Sequence, residues 1–410
     1  MRLGTANTYD KALQNIFTRQ SELASQQEKL TSGKNINRLS DDPLGAAQAE
    51  RALTRLSRVA SDQRALGAQS GAITLAESTL GEASNLMQSL RELTVSAGNA
   101  TLSVSDRNTV AQQMISLRDQ LLTLANHTDA NGIPLFGGLG SPSVPFQETA
   151  TGVTVNGIAE QRVSFSGNAG QKTSTDVAVP GTMNGAAIWM DIRSGNGTSD
   201  VTVASVAGST LSANMGKVTD PTLVSGMSFQ VAFTLDTTTT PASTTYTVTD
   251  NKTPTPTVIP AKPYIAGQAI QFDGQSFVAN GVPANGDIIN VTPSTTTNVF
   301  KILDDAIVGI KDGNTIVANA AVAKGLLQID GAMSRISSAR GEAGEWLNRA
   351  DNIAGAQDRR TLQLTTDKSR FEDLDMVKGI SDYQKVQTGY QAALQSYAQV
   401  QKLSLFNYIS

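Results

Sequence analysis

The chain contains no cysteine in 410 residues. That excludes disulfides, thiolate nucleophiles and cysteine-ligated zinc in one step. It has a single histidine, His127, which leaves no Ser-His-Asp triad elsewhere, no HExxH zinc site and no histidine-rich metal cluster. No run is long and apolar enough to span a bilayer, and the opening "MRLGTANTYDKALQNIF" has no apolar stretch of signal-peptide length. The expectation is a protein that is soluble when made, with no membrane insertion, and that would leave a cell only by a route that cleaves no leader. Strong charge of one sign is also lacking. Residues 1–140 carry 13 Lys+Arg against 13 Asp+Glu, residues 298–410 again 13 against 13, and residues 141–297 carry 6 against 10. The middle owns the whole net charge of -4, and no segment is basic enough to point to nucleic acid.

What is present is periodicity. Positions 6, 9, 13, 16, 20, 23, 27 and 30 step by three and four and hold Ala6, Tyr9, Leu13, Ile16, Gln20, Leu23, Gln27 and Leu30. This is a heptad stripe with two glutamines in it, and it stops at "TSGKNINRLSDDP", where Gly33 and the Asn-rich run break the period. A second stripe places Val59, Leu66, Ile73, Leu80 and Met87 seven apart, with Ala76, Ala83 and Leu90 between them. It predicts a long helix from about Pro43 to Ala97. A third puts Val110, Met114, Leu117, Leu121 and Leu124 on one face. The last third repeats the character of the first. It has a short helix after Asn298, then Val322, Leu326, Ile329, Met333, Ile336, Ala343 and Leu347 in one register broken at Arg340, then a seam of Tyr383, Val386, Tyr390, Ala393, Tyr397 and Val400. Leu403, Phe406 and Ile409 close the chain after a small register slip.

Between these helical texts, residues 141–297 are rich in Thr, Val, Gly and Pro, and alternating runs such as "RVSFSG", "MSFQVAFTL" and "TTYTVTD" read as antiparallel strands of a sandwich or open barrel. "TLDTTTTPASTT" and "NKTPTPTVIPAKP" read as hairpin tips or edge loops. The fold class expected is α+β: a long α-helical coiled-coil or bundle frame built from both chain termini, with an inserted antiparallel β domain.

Candidate chemistry is thin. In "SDDPLGAAQ" two neighbouring carboxylates precede a proline, which suits the first helical position. Asp42 therefore reads as a helix N-cap and Asp41 as added negative charge near the positive end of the dipole. A catalytic pair would need carboxylates that converge on one bond or metal, and neighbours at a cap diverge. His127, in "LANHTDANG", reads as an imidazole satisfying carbonyls at a helix end. "GGLGS" at 137–141 lacks the strand before and the Lys-Ser/Thr after that a phosphate cradle needs, and reads as a hinge out of the helical frame. "DGNT" at 312–315 lacks the acidic ligands of a calcium loop. "NGT" at 196–198 and "NKT" at 251–253 match glycan acceptors by letter alone. No catalytic residue, metal ligand or cofactor site is expected.

The stronger signal is packing. From 376 to 410 the polar positions are mostly Gln and Ser, with Lys378, Asp382, Lys385 and Lys402 the only charges. An uncharged polar face suits burial against other protein. Tyr383, Tyr390 and Tyr397 could pack within one chain. The second reading, that the two terminal helices pair and complete their core only on neighbouring subunits, is the one that face favours. The expected subunit interface is Leu13, Ile16, Leu23 and Leu30 with Tyr383, Val386, Tyr390, Tyr397, Val400, Leu403 and Phe406. The connector between helices is Gly33, Asn35, Asn37 and Arg38, with Asp41, Asp42 and Pro43 at the cap.

Three segments carry a family resemblance. "LTSGKNINRLSDDPLGAA" resembles the stretch after the first helix of bacterial flagellins and their junction relatives, "KSRFEDLDMVKGISDYQKVQ" is similar to a second family motif, and "ANGIPLFGG" to the family's turn after the third helix. The ending "QTGYQAALQSYAQVQKLSLFNYIS" resembles the hook-filament junction members more than filament flagellins. The resemblance covers both terminal thirds. It implies a flagellin-like fold with an inner terminal coiled-coil domain of 1–42 and 373–410, a helical shell of 43–140 and 298–372, and an outer β domain of 141–297. It further implies a non-enzymatic structural subunit of the flagellum, outside the bacterial cell, exported unfolded with the help of a chaperone. Its partners would be copies of itself in a ring, another hook-associated junction protein and flagellin. The alternatives are a filament flagellin, or a secreted adhesin or enzyme with its activity in 141–297.

Overall fold

The computed structural model describes residues 5–99, 101–170, 179–206, 208–237, 243–252, 258–312 and 315–409, with side chains from Asp10 to Gln399. Six helices are present among them: α1 (Thr5–Ser32), α2 (Pro43–Ala97), α3 (Val104–Ala125), α4 (Val299–Ile310), α5 (Thr315–Glu372) and α6 (Met376–Ile409). The chain divides into two compact units, Met1–Ala65 with Asn352–Ser410, and Leu66–Asp351. Helices α2 and α5 each run from one unit into the other.

In the larger unit the heptad stripe of α2 becomes core. Ile73, Leu80, Met87 and Leu90 are fully buried, with Ala76 and Ala83 between them; burial of one such large side chain contributes roughly 1.5–3 kcal/mol. Helix α3 starts with a reciprocal capping box, Ser103 Oγ accepting from the Asp106 N–H and the Asp106 carboxylate from the Ser103 N–H. Its buried face is rotated from the expected one. Arg107, Ala111, Met114, Arg118, Leu121 and Ala125 point inward, while Val110, Leu117 and Leu124 are half-buried.

The rotation is possible because Arg118, 4% exposed, finds carboxylates inside. It makes a two-pronged contact with Asp304 of α4, at 3.0 and 3.1 Å, and reaches Glu148 at 2.5 Å. Burial pushes Asp304 up to about 6 against the pull of Arg118. Helix α4 is capped by Asn298, whose Oδ1 accepts from the Lys301 N–H, and buries Phe300 beside Trp189 and Phe146. Trp189 belongs to a π-helical turn, Ala186–Met190.

Two of the sequence expectations change here. "GGLGS" is no hinge: the Gly138 N–H donates to Met183 O, and Leu139 N–H and Gly140 O bond the backbone of Asn168. Gly138 has φ +69, and a Cβ there would lie 2.1 Å from Asn168 O, so glycine is what lets three backbone segments cross. The carbonyls at the end of α3 are met by backbone N–H groups, Asn126 to Leu122 and His127 to Leu124, rather than by the His127 imidazole. "DGNT" extends beyond the described residues.

Between α3 and α4 the described residues form strands β1 (Phe146–Val155), β2 (Ile158–Phe165), β3 (Ile192–Arg193), β4 (Ser199–Ala204), β5 (Ser212–Ala213), β6 (Lys217–Val218), β7 (Phe229–Asp236), β8 (Ser243–Asp250), β9 (Val258–Pro263), β10 (Ala269–Phe272), β11 (Gln275–Asn280), β12 (Ile288–Pro293) and β13 (Thr296–Thr297). Strands β1 and β2 make a hairpin joined to the helices through Glu148 and through Asn156, which donates to Val308 O. One sheet runs β4-β12-β7-β8-β9 and a second β10-β11-β5, with β6 also on β11. They share a core of Phe229, Val231, Phe233, Phe272, Phe277 and Ile289, so the arrangement is a packed pair of sheets and not a barrel. The Pro-rich stretch read as a loop is in part strand β9, at the sheet's edge. Pro260 and Pro263 fit there because an edge strand has a side that needs no donor.

Candidate assembly interface

The smaller unit pairs α1 with α6. Leu13, Ile16, Leu23 and Leu30 of α1 are half-buried, as are Tyr383, Val386, Tyr390, Ala393 and Tyr397 of α6. The side chains of Ala6, Tyr9, Val400, Leu403 and Phe406 lie outside the described residues. Of the seam glutamines, Gln20 and Gln27 are exposed, and Gln26 turns inward with its Oε1 buried and unpartnered.

Over its described residues the pair does not close over its own apolar surface. Among the described residues no side chain of α1 is buried, and in α6 only Gly379 is. Phe17 is 65% and Val377 82% exposed, with Met376, Ile380 and Leu394 also turned outward. Apolar side chains turned outward in this way, on a pair whose α6 carries only Lys378, Asp382, Lys385 and Lys402 as charges, suit burial against further protein.

Where the two helices meet the rest of the unit, their ends are laced to one another. Gly33, at φ +69, turns the chain out of α1. The Asn35 N–H donates to Glu372 O at 2.8 Å and the Leu374 N–H to Gly33 O at 2.9 Å. Lys34 forms an ion pair with Glu372, which Lys368 also approaches at 3.4 Å. The hydrogen bond from Lys34 holds the Glu372 carboxyl below its ordinary range, and Lys34 is raised by the same bond. Asp375 then starts α6, its Oδ1 accepting from the Val377 and Lys378 N–H groups.

The connector residues are each accounted for. Asn35 Oδ1 accepts from Lys29 Nζ at 3.2 Å, and Arg38 reaches Glu28 at 3.3 Å. Asp42 Oδ1 accepts from the Leu44 and Gly45 N–H groups, and α2 begins at Pro43. Asp41 differs from expectation: its carboxylate turns back to the Arg38 and Asn37 N–H groups instead of serving the helix dipole, and these bonds lower its pKa. Both carboxylates are thus occupied by backbone donors.

Several residues that build this joint were not singled out from sequence. Ile36 is buried under Gly45, where a Cβ would come 2.7 Å from Ile36 Cδ1. At Gly379 a Cβ would meet Leu374 Cδ2 at 2.8 Å and Leu30 Cδ2 at 3.2 Å. Asp375 before an apolar run is a legible cap signal; the Lys34–Glu372 pair has no sequence signal. Among the described residues no three His, Asp or Glu side chains gather as metal ligands, and no helix is long and apolar enough to cross a membrane.

Comparison with known proteins identifies the frame. The bacterial flagellin N-terminal helical region matches residues 4–141 and the bacterial flagellin C-terminal helical region matches residues 326–409. Flagellar hook-associated protein 3 of Salmonella typhimurium is 26% identical over 160 residues, which are 37% of this chain and 48% of that protein. The chain thus spans about half the length of this curated relative. The flagellar junction protein FlgL of Legionella pneumophila superposes with a TM-score of 0.66 at 26% identity, covering 74% of this chain and 99% of that one. FlgL of Xanthomonas campestris gives 0.66 at 26% identity, covering 78% and 99%. With the two flagellin regions together matching more than half of its residues, the chain belongs to the bacterial flagellin family.

Proposed function

We propose that this chain is a structural subunit of the bacterial flagellum that sits at the hook-filament junction and assembles through α1 and α6. The observation that carries the reading is the open seam: a helix pair with half-buried Leu13, Ile16, Tyr383 and Tyr390 and outward Phe17 and Val377 lacks a closed core of its own among the described residues. Such a pair gains apolar burial only from neighbours, and helices this weakly packed are marginal alone in water. The names of its relatives, a hook-associated protein 3 and flagellar junction proteins, support the position. The inner layer is 1–42 with 373–410, the shell 43–140 with 298–372 and the outer domain 141–297.

Its partners in this reading are further copies of itself in a ring, another hook-associated junction protein on one side and flagellin on the other. It would reach that place outside the cell through the flagellar export route with a chaperone and without a cleaved leader. It has no catalytic role in this reading, since Asp41 and Asp42 are committed to backbone N–H groups. Immunogold labelling of purified flagella tests the position. A single band of label where hook meets filament is expected; label along the whole filament would overturn it in favour of a filament flagellin.

A further inference from the structure

The joint where α3, α4 and the β1-β2 hairpin meet holds more carboxylates than cations. Arg118 contacts three of them: Asp304 of α4 with two prongs, Glu148 of β1, and Asp119 of its own helix at 3.3 Å. Lys301 of α4 is the second cation, bonded to Asp305 at 2.9 Å and standing 3.9 Å from Glu160 of β2. Asp304, Glu148, Asp119, Asp305 and Glu160 thus face two cations. The remaining cations of these elements stand elsewhere, Arg162 of β2 being exposed and Arg107 of α3 reaching Asp312 O. The whole joint lies within Leu66–Asp351 and needs no neighbouring subunit.

Two inner acids share one guanidinium. The Asp304 side chain is 21% and that of Glu148 31% exposed, and Arg118 lies over the Phe300 ring, 5.7 Å from its centroid. The ring covers one face of the guanidinium and keeps water from it. Carboxylates that share a site resist ionising together, and the more buried one holds a proton longer. Asp304 is that one. Burial pushes it up to about 6 against Arg118, and the charges of Glu148 and Asp305 add to the rise. We propose that this joint is a proton-taking clamp: on mild acidification Asp304 accepts one proton from solvent, Arg118 is left to Glu148 and Asp119, and the larger unit becomes more stable. A carboxyl whose folded value lies above its unfolded one stabilises fully below the unfolded value of about 3.9, and that stabilisation is lost as pH rises through about 6. Glu372 at the connector runs the other way, its folded value being depressed. Mild acid therefore tightens the larger unit before it loosens the connector.

The chain's two tryptophans, Trp189 and Trp346, both lie in the larger unit, so the fluorescence of the full-length protein in urea reports on that unit. Between about pH 7.5 and about pH 5 the wild type should gain roughly tenfold in its folding equilibrium constant relative to Asp304→Asn. Asparagine keeps the shape and an acceptor for Arg118 but has no proton to take. His127, the one histidine, is present in both proteins and drops out of the comparison. A relative gain below about threefold, or a relative loss, would overturn the proposal. Glu148→Gln removes the competing charge and should move the gain to lower pH; a gain left in place would show that the two acids do not share a proton site, against the clamp. If Asp304→Asn does not fold, the wild-type protein with carboxyl-labelled aspartate answers by NMR. One aspartate titrating near pH 6 supports the clamp, and none above about pH 5 refutes it.

Discussion

Single residues at the connector decide whether the terminal pair can form. Gly379 packs where a Cβ would be 2.8 Å from Leu374 Cδ2, so Gly379→Val should force Leu374 and Leu30 apart at about 1–3 kcal/mol, typical of overpacking. A reduced swarming radius is expected, with Gly379→Ala milder. Glu372 carries the pH dependence of the connector. Its folded pKa is depressed by Lys34, so its contribution is fully present above the ordinary carboxylate value of about 4.3 and is lost as pH falls through the lower folded value. Hydrogen exchange on assembled flagella should show the Leu374 amide losing protection as pH falls below the ordinary carboxylate value, and Glu372→Gln should flatten that dependence. The cap at Asp42 was legible because an acid before proline has few other uses. The neighbouring Asp41 was not, because its bond to Arg38 depends on how the loop folds back.

Helices were read well where burial repeats along the chain. The stripe of α2 from Val59 to Leu90 is buried as spaced, and the helix spans Pro43–Ala97. The α6 seam from Tyr383 to Tyr397 is half-buried at the expected positions. Helix α3 was misjudged by about one position because Arg118 reads as a solvated charge until Asp304 and Glu148 arrive from residues far along the chain. That joint makes a prediction at the level of elements, since it ties α3, α4 and β1 together. Arg118→Met should leave two acids without their cation and cost about 3–5 kcal/mol, as expected for breaking a buried pair, seen as a lower urea midpoint. The seam makes another. In the proposed assembly Leu13→Asp would set a charge in the seam of the two helices, and loss of incorporation into flagella is expected; normal motility would count against the seam.

For the molecule as a whole, the large unit is expected to stand alone. Its core of Ile73, Leu80, Met87, Phe300 and Trp189 lies within Leu66–Asp351, so removing 376–410 should leave a cooperative thermal transition by circular dichroism while abolishing incorporation. A broad, non-cooperative melt would show that the terminal pair is needed to fold the rest. The frame-plus-insert architecture was legible because composition changes sharply at both borders of the insert. Its strand order was not, because β11 pairs with β5 and β6 across some 60 residues of chain, and such long-range pairing leaves no local periodic mark.

The lacing between Gly33–Asn35 and Glu372–Leu374 has a mechanical consequence. Its two backbone hydrogen bonds run in opposite directions across one short crossing, and the Lys34–Glu372 contact lies between them. A tug on either chain end therefore strains all three together instead of peeling them in turn. The joint behaves as a clamp, and force entering through one terminal rod is handed to both.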